Sequence, residues 1–74
     1  MNGMIKEINE YAQVEYGTNL HLCSSDEKIM ITYDLFKNDK KKLANAYRKL
    51  ASWCREIGYC FSDKGAYNTL NSLK

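Results

Sequence analysis

Four side chains in this sequence carry the imidazole and thiol groups that hold zinc or form a base–nucleophile pair: His21, Cys23, Cys54 and Cys60. His21 and Cys23 are two apart, so on an extended segment they share a face, the arrangement a thiolate needs beside a base. Same-face neighbours on a strand lie side by side whatever their role, and no third group is placed to orient the histidine. The structural reading outweighs a Cys–His nucleophile, and no catalytic residue is assigned. As zinc ligands the four have suitable chemistry. Their spacing does not: two apart on a strand, then six apart across a helix end, with Cys54 inside an apolar stripe, fits no common zinc knuckle. Neither a metal nor any other cofactor is expected. No CxxC is present and three cysteines cannot all pair within one chain, so reduced thiols are expected. The glycines Gly3, Gly17, Gly58 and Gly65 are isolated at segment ends and build no phosphate-cradling loop.

The stronger chemistry is electrostatic. Residues 1–36 carry two lysines against six acids, whereas 37–74 carry nine bases against three acids, a net −4 against +6. In the basic half, Lys41, Arg48 and Arg55 repeat every seven residues, so on a helix they form a line away from Leu43 and Leu50. Lys42 and Lys49 run beside that line, and Lys37 and Lys40 extend its start. Such a stripe can follow a phosphate backbone, meet an acidic protein surface, or simply face solvent. Trp53 and Tyr59 sit near the border of the apolar stripe, as core lids or interface anchors. The candidate binding surface is therefore Lys41, Lys42, Arg48, Lys49, Trp53 and Arg55.

These residues need elements to hold them. Met4, Ile5, Ile8, Tyr11, Ala12 and Tyr16 recur at helical spacing, with Asn2 able to cap the start and Gly17 a natural terminator. Over 19–23 and 28–36 the period falls to two: Leu20 and Leu22 share a face, as do Ile29, Ile31, Tyr33 and Leu35. Two strands are predicted, joined by the polar turn Ser24-Ser25-Asp26-Glu27 into an antiparallel hairpin. Asn38 or Asp39 then caps a long helix in which Leu43, Tyr47, Leu50, Cys54 and Ile57 step by four and three, ending at Gly58. Tyr59-Cys60-Phe61 reads as a short extended segment. Ser62 caps a last helix with Ala66, Tyr67, Leu70 and Leu73 on one side. The expected fold is α+β: one domain over 1–74, with helices covering one face of a small antiparallel sheet.

At 74 residues, surface scaling gives about 60% of the unfolded chain's surface buried on folding, a core too small to enclose a deep cofactor cleft. No apolar run reaches the roughly 18 residues of a spanning helix, and the start lacks the basic-then-apolar order of a signal peptide, so a cytoplasmic protein is expected.

Two family resemblances touch parts of the chain. Residues 50–59, with a capped helix beyond, resemble a helix-turn-helix motif, although the connection through Cys60-Phe61-Ser62 is long and Gly65 falls inside the second helix. The first helix, the hairpin and the helix opening Lys40-Lys41-Lys42 resemble a double-stranded-RNA-binding domain, with two strands where that family has three. Neither resemblance places the chain in a family.

The functional expectation is a small non-enzymatic binding protein that occupies a partner's surface. Size and composition place it among the small inhibitors and adaptors of phages and mobile elements, including inhibitors of host nucleoprotein defence complexes. The alternative is a DNA- or RNA-binding module using the basic face of the long helix. Opposite charges on the two halves also favour a homodimer.

Overall fold

The computed structural model describes residues 3–58 and 63–71. Among these, 84% are helical and none lies in a β-strand. Four α-helices run in order: α1 (Gly3–Tyr11), α2 (Ser25–Phe36), α3 (Lys40–Glu56) and α4 (Asp63–Asn71). The expected α+β fold is thereby overturned, and the hairpin is where it fails.

The segment read as a hairpin turn is a helix start. The Ser24 hydroxyl accepts from the Glu27 N–H at 3.2 Å, while the Glu27 carboxylate accepts from the Ser24 N–H at 3.0 Å. This reciprocal box satisfies two of the N–H groups that a helix otherwise leaves without partners. It launches α2 through the residues predicted as the second strand. The buried face of α2 includes Lys28, Thr32 and Phe36, four apart, with Ile29 and Ile31 beside them. Lysine and threonine hold two central core positions, so the apolar residues alone trace a period of two while the buried residues trace a helix. Lys28 is 1% exposed and its ammonium donates to the Cys23 carbonyl. A buried cation is tolerable only when hydrogen-bonded in this way.

The predicted first strand is a single 3-10 turn, Leu20–Leu22. Leu20 is buried and Leu22 is exposed, so the two do not share a face. Asn9 on α1 fixes the turn by accepting from the Leu20 N–H at 2.8 Å.

The first helix forms where its periodicity predicts, but it widens at its end into a π-turn, Ala12–Tyr16, closed by Gly17 in the left-handed region at φ 65°. Residues five apart lie about 140° apart around an α-helix, and the wider turn narrows that angle. Tyr11 and Tyr16 consequently meet edge to face, with ring centroids 6.1 Å apart. Both hydroxyls donate to one oxygen of Asp34 on α2, at 2.5 and 3.0 Å. Lys37 holds the other oxygen at 3.3 Å. The hydrogen bond from Tyr11 holds the Asp34 carboxyl below its usual range, and in return the Tyr11 phenol is pushed up to about 12.

The core runs from Ile5, Ile8 and Ala12 through Leu20, Ile29 and Ile31 to Leu43, Leu50 and Cys54, with Ala66 at the α4 end. No helix among the described residues is long and apolar enough to cross a membrane. The expected Asn2 cap, the extended segment at Tyr59-Cys60-Phe61, the Ser62 cap and Leu73 lie outside the described residues.

Candidate binding groove between α3 and α4

Asp39 starts α3, its carboxylate accepting from the Lys42 N–H at 3.1 Å. Leu43, Ala46, Tyr47, Leu50, Ala51 and Cys54 are buried along one side of the helix, which turns every cationic side chain outward. Lys41, Lys42, Arg48, Lys49 and Arg55 are all exposed, and Trp53 is half-buried against the core as a lid.

The five cations do not form one face. Successive residues on a helix differ by about 100° in direction, so Lys41–Arg48–Arg55 and Lys42–Lys49 are separate rows. Lys42 sits 5.5 Å from the centre of the Phe36 ring. Asn45, between the rows, donates to Met4 Sδ at 3.9 Å, marking the flank where α1 arrives. The row of Arg48 and Arg55 borders α4 instead.

Between that row and α4 runs an open groove of about 460 Å³. Tyr47, Ala51 and Ala66 lie in its floor and are buried; Ala44 is half-buried at one end. Arg48 and Arg55 form one wall, Tyr67 and Leu70 the other. Tyr67 is 65% exposed. Neither arginine has an ion pair or hydrogen bond among the described residues.

A chain of hydroxyls holds the far wall in place. Thr69 Oγ1 on α4 donates to Tyr47 Oη at 2.7 Å, and Tyr47 Oη donates to the Ile29 carbonyl on α2 at 3.3 Å. Burial pushes the Tyr47 phenol up. One buried tyrosine thus ties α2, α3 and α4 together beneath the groove.

No motif in the sequence marks the groove. The spacing of the last helix predicts Tyr67 and Leu70 on a packed face, and Ala44, Ala51 and Ala66 carry no chemistry that a motif could reveal. The only sequence signal is the seven-residue spacing of the row that forms its wall.

The described nucleophile and metal candidates differ in their surroundings. His21 is exposed on the 3-10 turn, whereas Cys23 is buried and its thiol donates to the Asn19 carbonyl at 3.5 Å. Burial raises the Cys23 and Cys54 thiols above their ordinary value, away from the thiolate a nucleophile or ligand requires. Among the described residues no three metal-ligating side chains cluster. Cys60 and Tyr59 lie outside those residues.

No family model, curated protein or solved structure matches the chain. The groove and its charges therefore carry the functional argument alone.

Proposed function

We propose that this chain is a non-enzymatic binding protein that occupies a partner's surface through the α3–α4 groove. The observation that carries the reading is the groove itself, an open apolar trough walled by two arginines that lack partners among the described residues. Arginine and tyrosine beside an apolar floor are the side chains that anchor protein interfaces. The burial of Cys23, which raises its thiol, and the exposure of His21 support a non-catalytic role. The corresponding biological class is the small inhibitor or adaptor, of the kind phages and mobile elements direct at nucleoprotein complexes.

One observation favours a nucleic-acid module as the second reading: the row Lys41–Arg48–Arg55 extends about 21 Å along α3, long enough to follow several phosphates. A photo-crosslinking residue at position 67, used in extract from a candidate host, separates the readings. Capture of one protein, lost when Arg48→Glu and Arg55→Glu are introduced, supports a partner in the groove. Absence of any groove-dependent capture, together with a shift of duplex DNA or RNA that weakens steeply with salt and is abolished by Arg48→Glu, reverses the ranking.

A further inference from the structure

Resting on the reading of the groove as a contact, the geometry points to its occupant: an acidic amphipathic helix with carboxylates seven residues apart and apolar side chains between them. Arg48 and Arg55 are themselves seven apart on α3, about 10.5 Å along the axis. A helix lying alongside α3 presents side chains at the same interval on one face. Carboxylates at its positions i and i+7 meet the two guanidinium forks, which pair with carboxylates in bidentate fashion. Apolar residues at i+3 and i+4 then fall on the floor.

The floor suits a helix. Ala51 and Ala66 are small and buried, which lets a third helix approach at the roughly 8–10 Å separation of packed helices. Backbone N–H and C=O groups on both sides are spent within α3 and α4, so the groove offers no edge for an extended strand. The exposed Tyr67 and half-buried Leu70 provide apolar surface on the wall opposite the arginines. A phosphate backbone would leave that wall and floor against polar atoms. It would also reach only one of the two cation rows, because Lys42 and Lys49 point to another flank.

The test uses the whole chain and a labelled synthetic peptide helix roughly three heptads long, enough to be helical on binding. The peptide carries Glu at i and i+7 and Leu at i+3 and i+4. Fluorescence anisotropy should show saturable binding that weakens as salt rises, and by about tenfold or more in the Arg48→Glu/Arg55→Glu variant. A peptide with Lys in place of Glu should show the reverse preference, binding the charge-reversed variant and not the natural chain. Replacing the peptide leucines by Ala should abolish binding. Circular dichroism checks that the variant is folded, and Tyr67→Ala, which leaves both charges in place, should independently weaken the acidic peptide.

Equal binding of the Glu and Lys peptides, or an acidic peptide indifferent to both variants, overturns the inference. So does displacement of the peptide by duplex DNA at equal charge, or sedimentation showing that the groove is already filled by a second copy of this chain. If groove-dependent crosslinking to a protein persists while the acidic peptide fails, the occupant is wrong and the broader reading stands. If both fail, both fall.

Discussion

Tyr47→Phe tests whether the hydroxyl chain beneath the groove holds α4 in place. The substitution keeps a buried ring, since Tyr47 is 4% exposed, and removes only the oxygen between Thr69 and Ile29. The two former partners are not stranded. Thr69 Oγ1 has a second acceptor in the Ala66 carbonyl at 2.8 Å, and the Ile29 carbonyl lies within α2, where the helix supplies its own donor. The cost is therefore a net hydrogen bond, about 1 kcal/mol, and not the larger penalty of a buried orphan. For a domain of this size about 1 kcal/mol lowers the melting temperature by about 4–8 °C. The local effect is more telling. Ala66 is the one side chain of α4 described as fully buried, so α4 leans on this connection more than the other helices do. Hydrogen exchange without denaturant should show the α4 amides exchanging about fivefold faster through local opening, while α1 and α3 amides gain their similar factor only through global unfolding, as the denaturant dependence of their exchange will show. Unchanged α4 protection alongside a lowered melting temperature would refute the reasoning, because the hydroxyl would then support the core without anchoring the groove wall.

Ser24→Ala removes one half of the capping box and should cost about 1 kcal/mol in thermal melts, whereas a serine in a hairpin turn would cost less than about 0.5. Gly17→Ala meets no atom within 4 Å, so its loss, about 1 kcal/mol, should come wholly from the left-handed backbone, and Gly17→Asn should lose less. Stability should fall at both ends of the pH scale. Asp34, held low by Tyr11, and Glu27, held low by the Ser24 N–H, contribute fully above the ordinary carboxylate range and lose that contribution as pH drops through their lowered values. Tyr11 and Tyr16 beside Asp34, and the buried Tyr47, Cys23 and Cys54, are all raised. Their protonated forms favour the fold until pH passes the ordinary thiol and phenol values, after which stability declines toward the raised ones. Denaturant titrations across pH should show Asp34→Asn flattening the acid limb and leaving the thiol part of the alkaline limb in place.

How much of the fold is legible in the residues depends on which of them carry the core. In α3 every buried position but one is apolar or small and the polar side is charged, so the steps of four and three suffice to name the helix, with Asp39 one of its two candidate caps. In α1 the period survives as far as Gly17, although nothing in the residue types distinguishes a π-turn from the α-helix it continues. In α2 the pattern misleads, because Lys28 and Thr32 occupy the core while Met30 is exposed. Alternating isoleucines then imitate a strand. The run Ser24-Ser25-Asp26-Glu27 satisfies both a polar turn and a capping box, and only the hydrogen bonds decide between them. At the site, spacing by seven locates Arg48 and Arg55 on one line, but a groove is the space between two elements. Its second wall depends on where α4 packs, which no local pattern encodes.

That packing also decides which cation row borders the groove proposed for an acidic ligand. The net charges of the chain's halves suggest acid and base at opposite ends, yet α1 and α3 pack against one another. The two acids of α1, Glu7 and Glu10, belong to a helix whose Met4 meets Asn45, between the two cation rows. Opposite charges sharing a flank weaken its field even without forming ion pairs, within a screening length of about 10 Å. The sequence of α4 holds one acid and one base, Asp63 and Lys64, so it brings no net charge to the groove. Arg48 and Arg55 border an apolar floor, where low polarity strengthens their attraction for a carboxylate. It is the position of these two arginines over that floor, more than the number of basic residues, on which the proposed preference for carboxylates rests.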